Sequence, residues 1–173
     1  GETDADGFWN PIEFVPDTVG SNLTANYVAS YSNNGGGGTV TSPITFSSSN
    51  IGTASSTRKV IVGVGIDGYQ GDEAYTSLTI GGVAANLVGV QNAASGGRPV
   101  ALYELDVSSG TSADIVVTFT NGSSNQCYSM GIGVWTIEGG TLFSTVGSTA
   151  DPGAGNVNVP AGGTVIAIMT EGN

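Results

Sequence analysis

From Thr39 onward, short runs rich in Val, Ile and Thr alternate with clusters of Gly, Ser and Asn. No window repeats its apolar residues with a helical period. Closely spaced runs between turn-forming clusters are the pattern of an antiparallel β-sandwich. The runs are LTANYVASY, TVTSPITF, KVIVGVGI, YTSLTI, VAANLVGV, RPVALYEL, ADIVVTFT, CYSMGIGVWTIE, TLFSTV and GTVIAIMT. The expected fold is therefore all-β, an antiparallel β-sandwich of jelly-roll or Ig-like type.

Several runs also say which face is buried. In KVIVGVGI, Val60, Val62, Val64 and Ile66 share one side of a strand, and Gly63 and Gly65 lie on the other. In ADIVVTFT, Ile115, Val117 and Phe119 face one way and Asp114, Thr118 and Thr120 the other. Strict alternation implies one packed and one wetter face. LTI-GG-VAANLV reads as a two-residue hairpin, because Gly81 and Gly82 supply the positive φ angles of a primed turn. That register sets Ile80 opposite Val83 and Leu78 opposite Ala85. A strand-interior glycine marks a bulge or a close approach by other chain. The Gly63–Gly65 side is therefore expected to lie under another segment or a packed neighbour.

The chain of 173 residues suits one domain with a real core. Residues 1–38 read as an acidic, partly extended arm followed by the Gly-rich break SNNGGGG. Residues 39–173 read as the sandwich. Ending on VIAIMTEGN, the domain reads as either whole, cut short, or completed by a strand from a neighbouring chain.

Charge excludes several functions. Charged residues make up 10 % of the chain, against about 25 % in ordinary soluble domains. The net charge is −11, with Arg58, Lys59 and Arg98 as the positive residues. Binding a phosphate backbone requires Lys and Arg to displace counterions, so direct nucleic-acid binding is not expected. An anionic membrane surface would repel the chain for the same reason. No apolar span is long enough for a transmembrane helix, so no membrane insertion is expected. One cysteine, Cys127, rules out an intrachain disulfide and reads as a buried thiol. The lack of histidine removes the commonest general base and transition-metal ligand.

Three stretches invite a chemical reading. Gly63, Gly65 and Gly68 have G-x-G-x-x-G spacing, but a dinucleotide site needs the glycine turn to open a helix. The following YQGDEAYTSLTIGG has room for a strand and a turn instead. The second stretch is ETDADGFWNPIE. Laid on a 12-residue calcium loop, Glu2, Asp4 and Asp6 fall at the first, third and fifth positions, Gly7 at the sixth and Glu13 at the twelfth. These carboxylates are the candidate metal ligands, with calcium as the possible ion. Trp9, Pro11 and the missing flanking helices depart from that pattern, and the other reading is a solvated acidic arm. No other cofactor is expected. The third stretch, IDGYQGDE, gathers Asp67, Asp72 and Glu73 around Tyr69. Such a loop suits a cation or a sugar, and paired carboxylates also serve glycosidases. The other reading, and the usual one for an exposed strand connection, is that these acids are simply solvated. Serine catalysis lacks a G-x-S-x-G elbow and a base; Lys59, the sole lysine, reads as a surface charge. Asn22–Leu23–Thr24 and Asn121–Gly122–Ser123 match the glycan-acceptor pattern.

The succession ITFSSSNIGTASSTRKVIVGVGI, LTIGGVAANLV and ALYELDVSSGTSADIVVTFTNGSSNQCYSMGIGVWTIEGG resembles a β-sandwich domain found in bacteriophage virion proteins, tail-associated and particle-surface ones in particular. The likeness runs from about Ile44 to Thr170. TRKVIVGV, SLTIGGVAANLV and GIGVWTIEG are its most specific parts. It implies a non-enzymatic structural or host-contact role in a virion, with copies of the chain and other virion proteins as partners. It carries over no site residues, and in that pattern further strands follow the last run. The alternative reading is a secreted or cell-surface carbohydrate-binding or adhesive module, possibly calcium-dependent, with glycan contacts through aromatics such as Tyr69, Tyr75 and Tyr103.

Overall fold

The computed structural model describes residues 8–9, 12–16, 23–68, 73–91, 98–122, 124–145, 159 and 161–170. In chain order the strands are β1 (Phe8–Trp9), β2 (Ile12–Pro16), β3 (Thr24–Asn33), β4 (Val40–Thr41), β5 (Ile44–Asn50), β6 (Lys59–Gly68), β7 (Glu73–Ile80) and β8 (Val83–Ala84). They continue with β9 (Asn86–Gln91), β10 (Val100–Asp106), β11 (Ser112–Asn121), β12 (Gln126–Glu138), β13 (Gly140–Thr145), β14 (Thr164–Ile166) and β15 (Met169–Thr170). Every run picked out by alternation is a strand or a pair of strands.

Two antiparallel sheets form the sandwich. The larger has the order β3-β12-β6-β10-β9, with β4 also on β12; the smaller has the order β5-β11-β7-β8. Val60, Val62, Val64 and Ile66 from β6 meet Ile115, Val117 and Phe119 from β11 in one core, all 0–1 % exposed. Asp114 and Thr120 point outward and are exposed, as alternation requires. Cys127 is buried in the same core.

The Gly81–Gly82 hairpin forms as expected. Both glycines have positive φ (59° and 81°), and Ile80 pairs with Val83. The backbone N–H of Ala85 donates to Leu78 O at 2.9 Å. One detail differs: the chain leaves the smaller sheet at Ala85, and β9 joins the larger sheet beside β10. VAANLVGV therefore bridges the two layers, and Val83 is left 58 % exposed.

Within 1–38, β3 is an integral strand of the larger sheet, pairing with β12 from Thr24↔Glu138 to Asn33↔Met130. The glycine cluster after it is a tight link rather than a long spacer. Gly35–Gly37 makes one 3-10 turn, and the Asn34 side chain accepts from Gly36 N–H. Upstream, β2 lies between β13 and β14, and β1 pairs with β15.

A second, smaller core sits on the outer face of the larger sheet. Ile61, Leu102 and Ile137 are fully buried there beneath Ile166, with Trp135 and Ile168 packed alongside. The segment around β14 thus adds a partial third layer.

The strand start TRKV carries a feature that alternation does not announce. Arg58 is 1 % exposed. Its guanidinium donates to Val107 O (2.7 Å), Gly52 O (2.7 Å), Ser109 O (2.8 Å) and Gly110 O (3.0 Å). One side chain thereby satisfies carbonyls from the β5–β6 and β10–β11 loops. Burial lowers its pKa, and the nearby Glu138 charge partly offsets this. A guanidinium stays charged throughout the working range.

Candidate functional site

β6 and β12 run side by side, and both carry glycine at alternate positions. Their register sets Gly63 opposite Gly133 and Gly65 opposite Gly131, on the outer face. The next outward pair is Asp67 and Ser129. β3 adds Ser30 opposite Gly133 and Ser32 opposite Gly131. The outer face of the larger sheet thus has a floor without side chains, edged by hydroxyls.

The floor is covered at one end and open at the other. Trp135, two residues beyond Gly133, lays its indole back over the first glycine pair. A Cβ on Gly133 would sit 2.8 Å from Trp135 Cζ3. A Cβ on Gly63 would sit 2.8 Å from Ile168 Cγ1 and 3.1 Å from Trp135 Cζ3. The expectation that another segment covers the glycine side therefore holds at Gly63. At Gly131 the nearest atom to such a Cβ is Tyr31 O at 3.8 Å, an ordinary contact that leaves room.

The open end is a groove of about 630 Å³, within the ~300–1,000 Å³ of small-ligand sites. At one end Trp135 meets Tyr27 edge to face, with ring centroids 5.8 Å apart and planes at 65°. Tyr27 is 60 % exposed. At the other end Arg98 Nε donates to Asp67 Oδ1 at 2.8 Å. Both partners of this ion pair are only partly exposed, so the pair is held in place rather than loosely solvated.

The other cations are also engaged. Lys59 Nζ lies 3.0 Å from Asp106 Oδ1 and 3.5 Å from Glu104 Oε1. Burial pulls the Lys59 pKa down, but these two carboxylates outweigh it and raise the value overall. Arg58, Lys59 and Arg98 are thus all tied to oxygens of the fold itself.

Several candidates from the sequence fall elsewhere. Glu2, Asp4 and Asp6 of the calcium loop lie outside the described residues. Glu13 is placed in β2, opposite Ser144 and Val165. Among the described residues no cluster of three His, Cys, Asp or Glu side chains is placed to hold a metal. Of the third stretch, Tyr69 and Asp72 also lie outside the described residues, and Glu73 opens β7 opposite Asn121. Among the described residues, Asp67 from this stretch lines the groove.

Two of the proposed sugar-contacting tyrosines are corrected. Tyr103 is 2 % exposed and belongs to the main core. Tyr75 donates its hydroxyl to Pro99 O (2.8 Å) and Val64 O (3.1 Å). Burial, aided by Tyr103 and Cys127, pushes its pKa well above 10.0. Tyr103 follows Ala101 on the inward face of β10. Tyr75 is instead turned inward by a bulge at Thr76, since strict alternation from Ile80 and Leu78 would place it on the outer face. The acceptor pattern at Asn121 is also set aside as a modification site in the folded chain. Asn121 is fully buried, its amide donates to Gln126 O, and its carbonyl accepts from Ser124 Oγ at 2.6 Å.

Sequence reasoning missed Tyr27, Trp135 and Arg98 as neighbours. The signal was partly there: GIGVW puts Gly131, Gly133 and Trp135 on one face of a strand. What it lacked was the β6–β12 register that stacks two glycine rows together.

Comparison with models of protein families, with curated proteins and with solved structures finds no match. The groove is therefore read from its own residues. Among the described residues no helix is long and apolar enough to cross a membrane.

Proposed function

We propose that this chain is a non-enzymatic structural protein of a bacteriophage particle, a head-surface decoration or a tail component. It assembles with copies of itself and with other virion proteins. The observation that carries this reading is the apolar surface at the β8–β9 edge. The outermost strands β3 and β9 of the larger sheet, and β5 and β8 of the smaller, contain no charged residue. Unpaired edge groups template pairing with another chain, and sheet proteins blunt them with charge, Pro, bulges or short strands. Here the pairings of β3, β5 and β9 each carry a register shift and β8 is two residues long, so the edges are shaped by backbone and left without charge. At the β8–β9 side the edge also presents Val83, Leu87 and Val90 at 58, 50 and 38 % exposure.

The likeness to phage-particle sandwich domains supports the same reading. Its three most specific segments fall on structural parts: TRKVIVGV on the Arg58 clamp and β6, SLTIGGVAANLV on the β7–β9 crossing, and GIGVWTIEG on β12. Mass spectrometry of purified phage particles tests the proposal, together with sedimentation of the isolated chain. The expected result is a particle component that sediments as a multimer, and whose multimer dissociates on Leu87→Lys/Val90→Lys substitution. A chain that stays monomeric at every concentration and is absent from particles overturns it.

A further inference from the structure

We infer that the groove between Trp135 and the Arg98–Asp67 pair is a binding site for a neutral saccharide. The inference does not rest on particle assembly, since a monomer would carry the same groove.

The first argument is what the groove offers. A sugar ring has an apolar C–H face and a rim of hydroxyls. The groove has an aromatic end in Trp135 and Tyr27 and a row of Ser30, Ser32 and Ser129 hydroxyls along it. At the far end stand a carboxylate and a guanidinium already fixed 2.8 Å apart. Asp67 accepts, Arg98 donates, and serine does both, a combination suited to neighbouring hydroxyls on one ring. The bare Gly65 and Gly131 let the ring settle close to the sheet. From Gly133 to Ser129 the strand spans roughly 13 Å at ~3.3 Å per residue, enough for more than one ring.

The second argument is what the groove refuses. Its floor is the face of a sheet, not an edge. The backbone groups of β12 are taken by β6 on one side and β3 on the other. An added peptide strand would find no ladder to join, so the ligand must be read by side chains. A phosphate or carboxylate ligand meets a chain of net charge −11, and its three cations already have partners. A purely apolar ligand would bury the serines and the ion pair without replacing their water. A neutral, hydroxyl-rich ring satisfies all three conditions.

The test is a printed array of neutral and acidic mono- to tetrasaccharides, followed by NMR titration of the parent chain with the hits. The expected result is binding of neutral pyranosides but not uronic or sialic ones, with shifts at the Trp135 indole N–H and the Gly131 and Ser129 amides. Gly131→Val fills the recess and Tyr27→Ala removes an exposed ring. Each should weaken binding at least about tenfold while the melting temperature stays within a few degrees. Trp135→Ala is avoided because the indole also packs the floor. No shift at these positions up to about 10 mM sugar overturns the inference. So does binding that survives both substitutions, or a groove that prefers acidic sugars.

Discussion

The two faces of β6 belong to one strand and have opposite fates. Inward, Val60, Val62, Val64 and Ile66 are each 0 % exposed and locked against the smaller sheet. Outward, the same strand grades from Ile61, fully buried, through Gly63 under Ile168, to Gly65 in the groove and Asp67 in an ion pair. The inner face stabilises the fold by burying apolar surface. The outer face closes at one end and opens at the other, and the opening is where a ligand can meet the sheet. The difference comes from side-chain size at alternate positions rather than from any change in the strand.

The largest loss should come from the inner face. Phe119→Ala leaves a cavity between the sheets and should cost about 3–5 kcal/mol in chemical denaturation. An effect under about 1 kcal/mol would mean that the two sheets are not packed as described.

Next is the clamp that holds the start of β6. Arg58→Met removes the donor to four carbonyls while keeping most of the aliphatic volume. The loss should be about 3 kcal/mol or more, since buried acceptors left without partners cost ~1–3 kcal/mol each and some will find water. A neutral effect would place Arg58 on the surface.

Tyr75, which ties the layers together through Val64 and Pro99, offers a pH test. Below pH 10.0 the phenol is protonated in the folded and unfolded states alike. Above it the unfolded chain ionises while the buried phenol keeps its proton, so stability falls as pH rises. The raised pKa of Lys59 acts in the same direction and in the same alkaline range. Tyr75→Phe should cost about 1 kcal/mol at neutral pH and should flatten part of the decline above pH 10. An unchanged alkaline slope would assign that decline to other groups.

Alternation made the strands, the β7–β8 hairpin and the inward row of β6 legible, because each is a local pattern with period two. The buried Arg58 was not legible, since a guanidinium held mostly by carbonyls of the β10–β11 loop, about 50 residues away, leaves no local mark. The groove was half legible. Gly63 and Gly65 on one run, and Gly131, Gly133 and Trp135 on another, show their faces in the sequence. Their stacking depends on β12 pairing with β6, a long-range register that no turn fixes. Tyr75 and Tyr103 misled because an aromatic attracts a binding interpretation. Tyr103 shares its face with Ala101 in the core, and Tyr75 reaches the core only through a bulge in β7 that local alternation does not announce.

The contrast between a closed and an open end of one face is tested most directly by two single substitutions measured together. Both positions lie in the same sheet, and neither glycine has a positive φ. Gly63→Ala drives a Cβ against Ile168 and the Trp135 ring and should destabilise by about 1–3 kcal/mol. Gly131→Ala makes only an ordinary contact with Tyr31 O and should stabilise by about 0.4–1 kcal/mol through the loss of unfolded-state freedom. Opposite signs in equilibrium unfolding are the predicted result. Equal effects of the same sign would contradict the account, because the outer face would then be uniformly covered or uniformly bare.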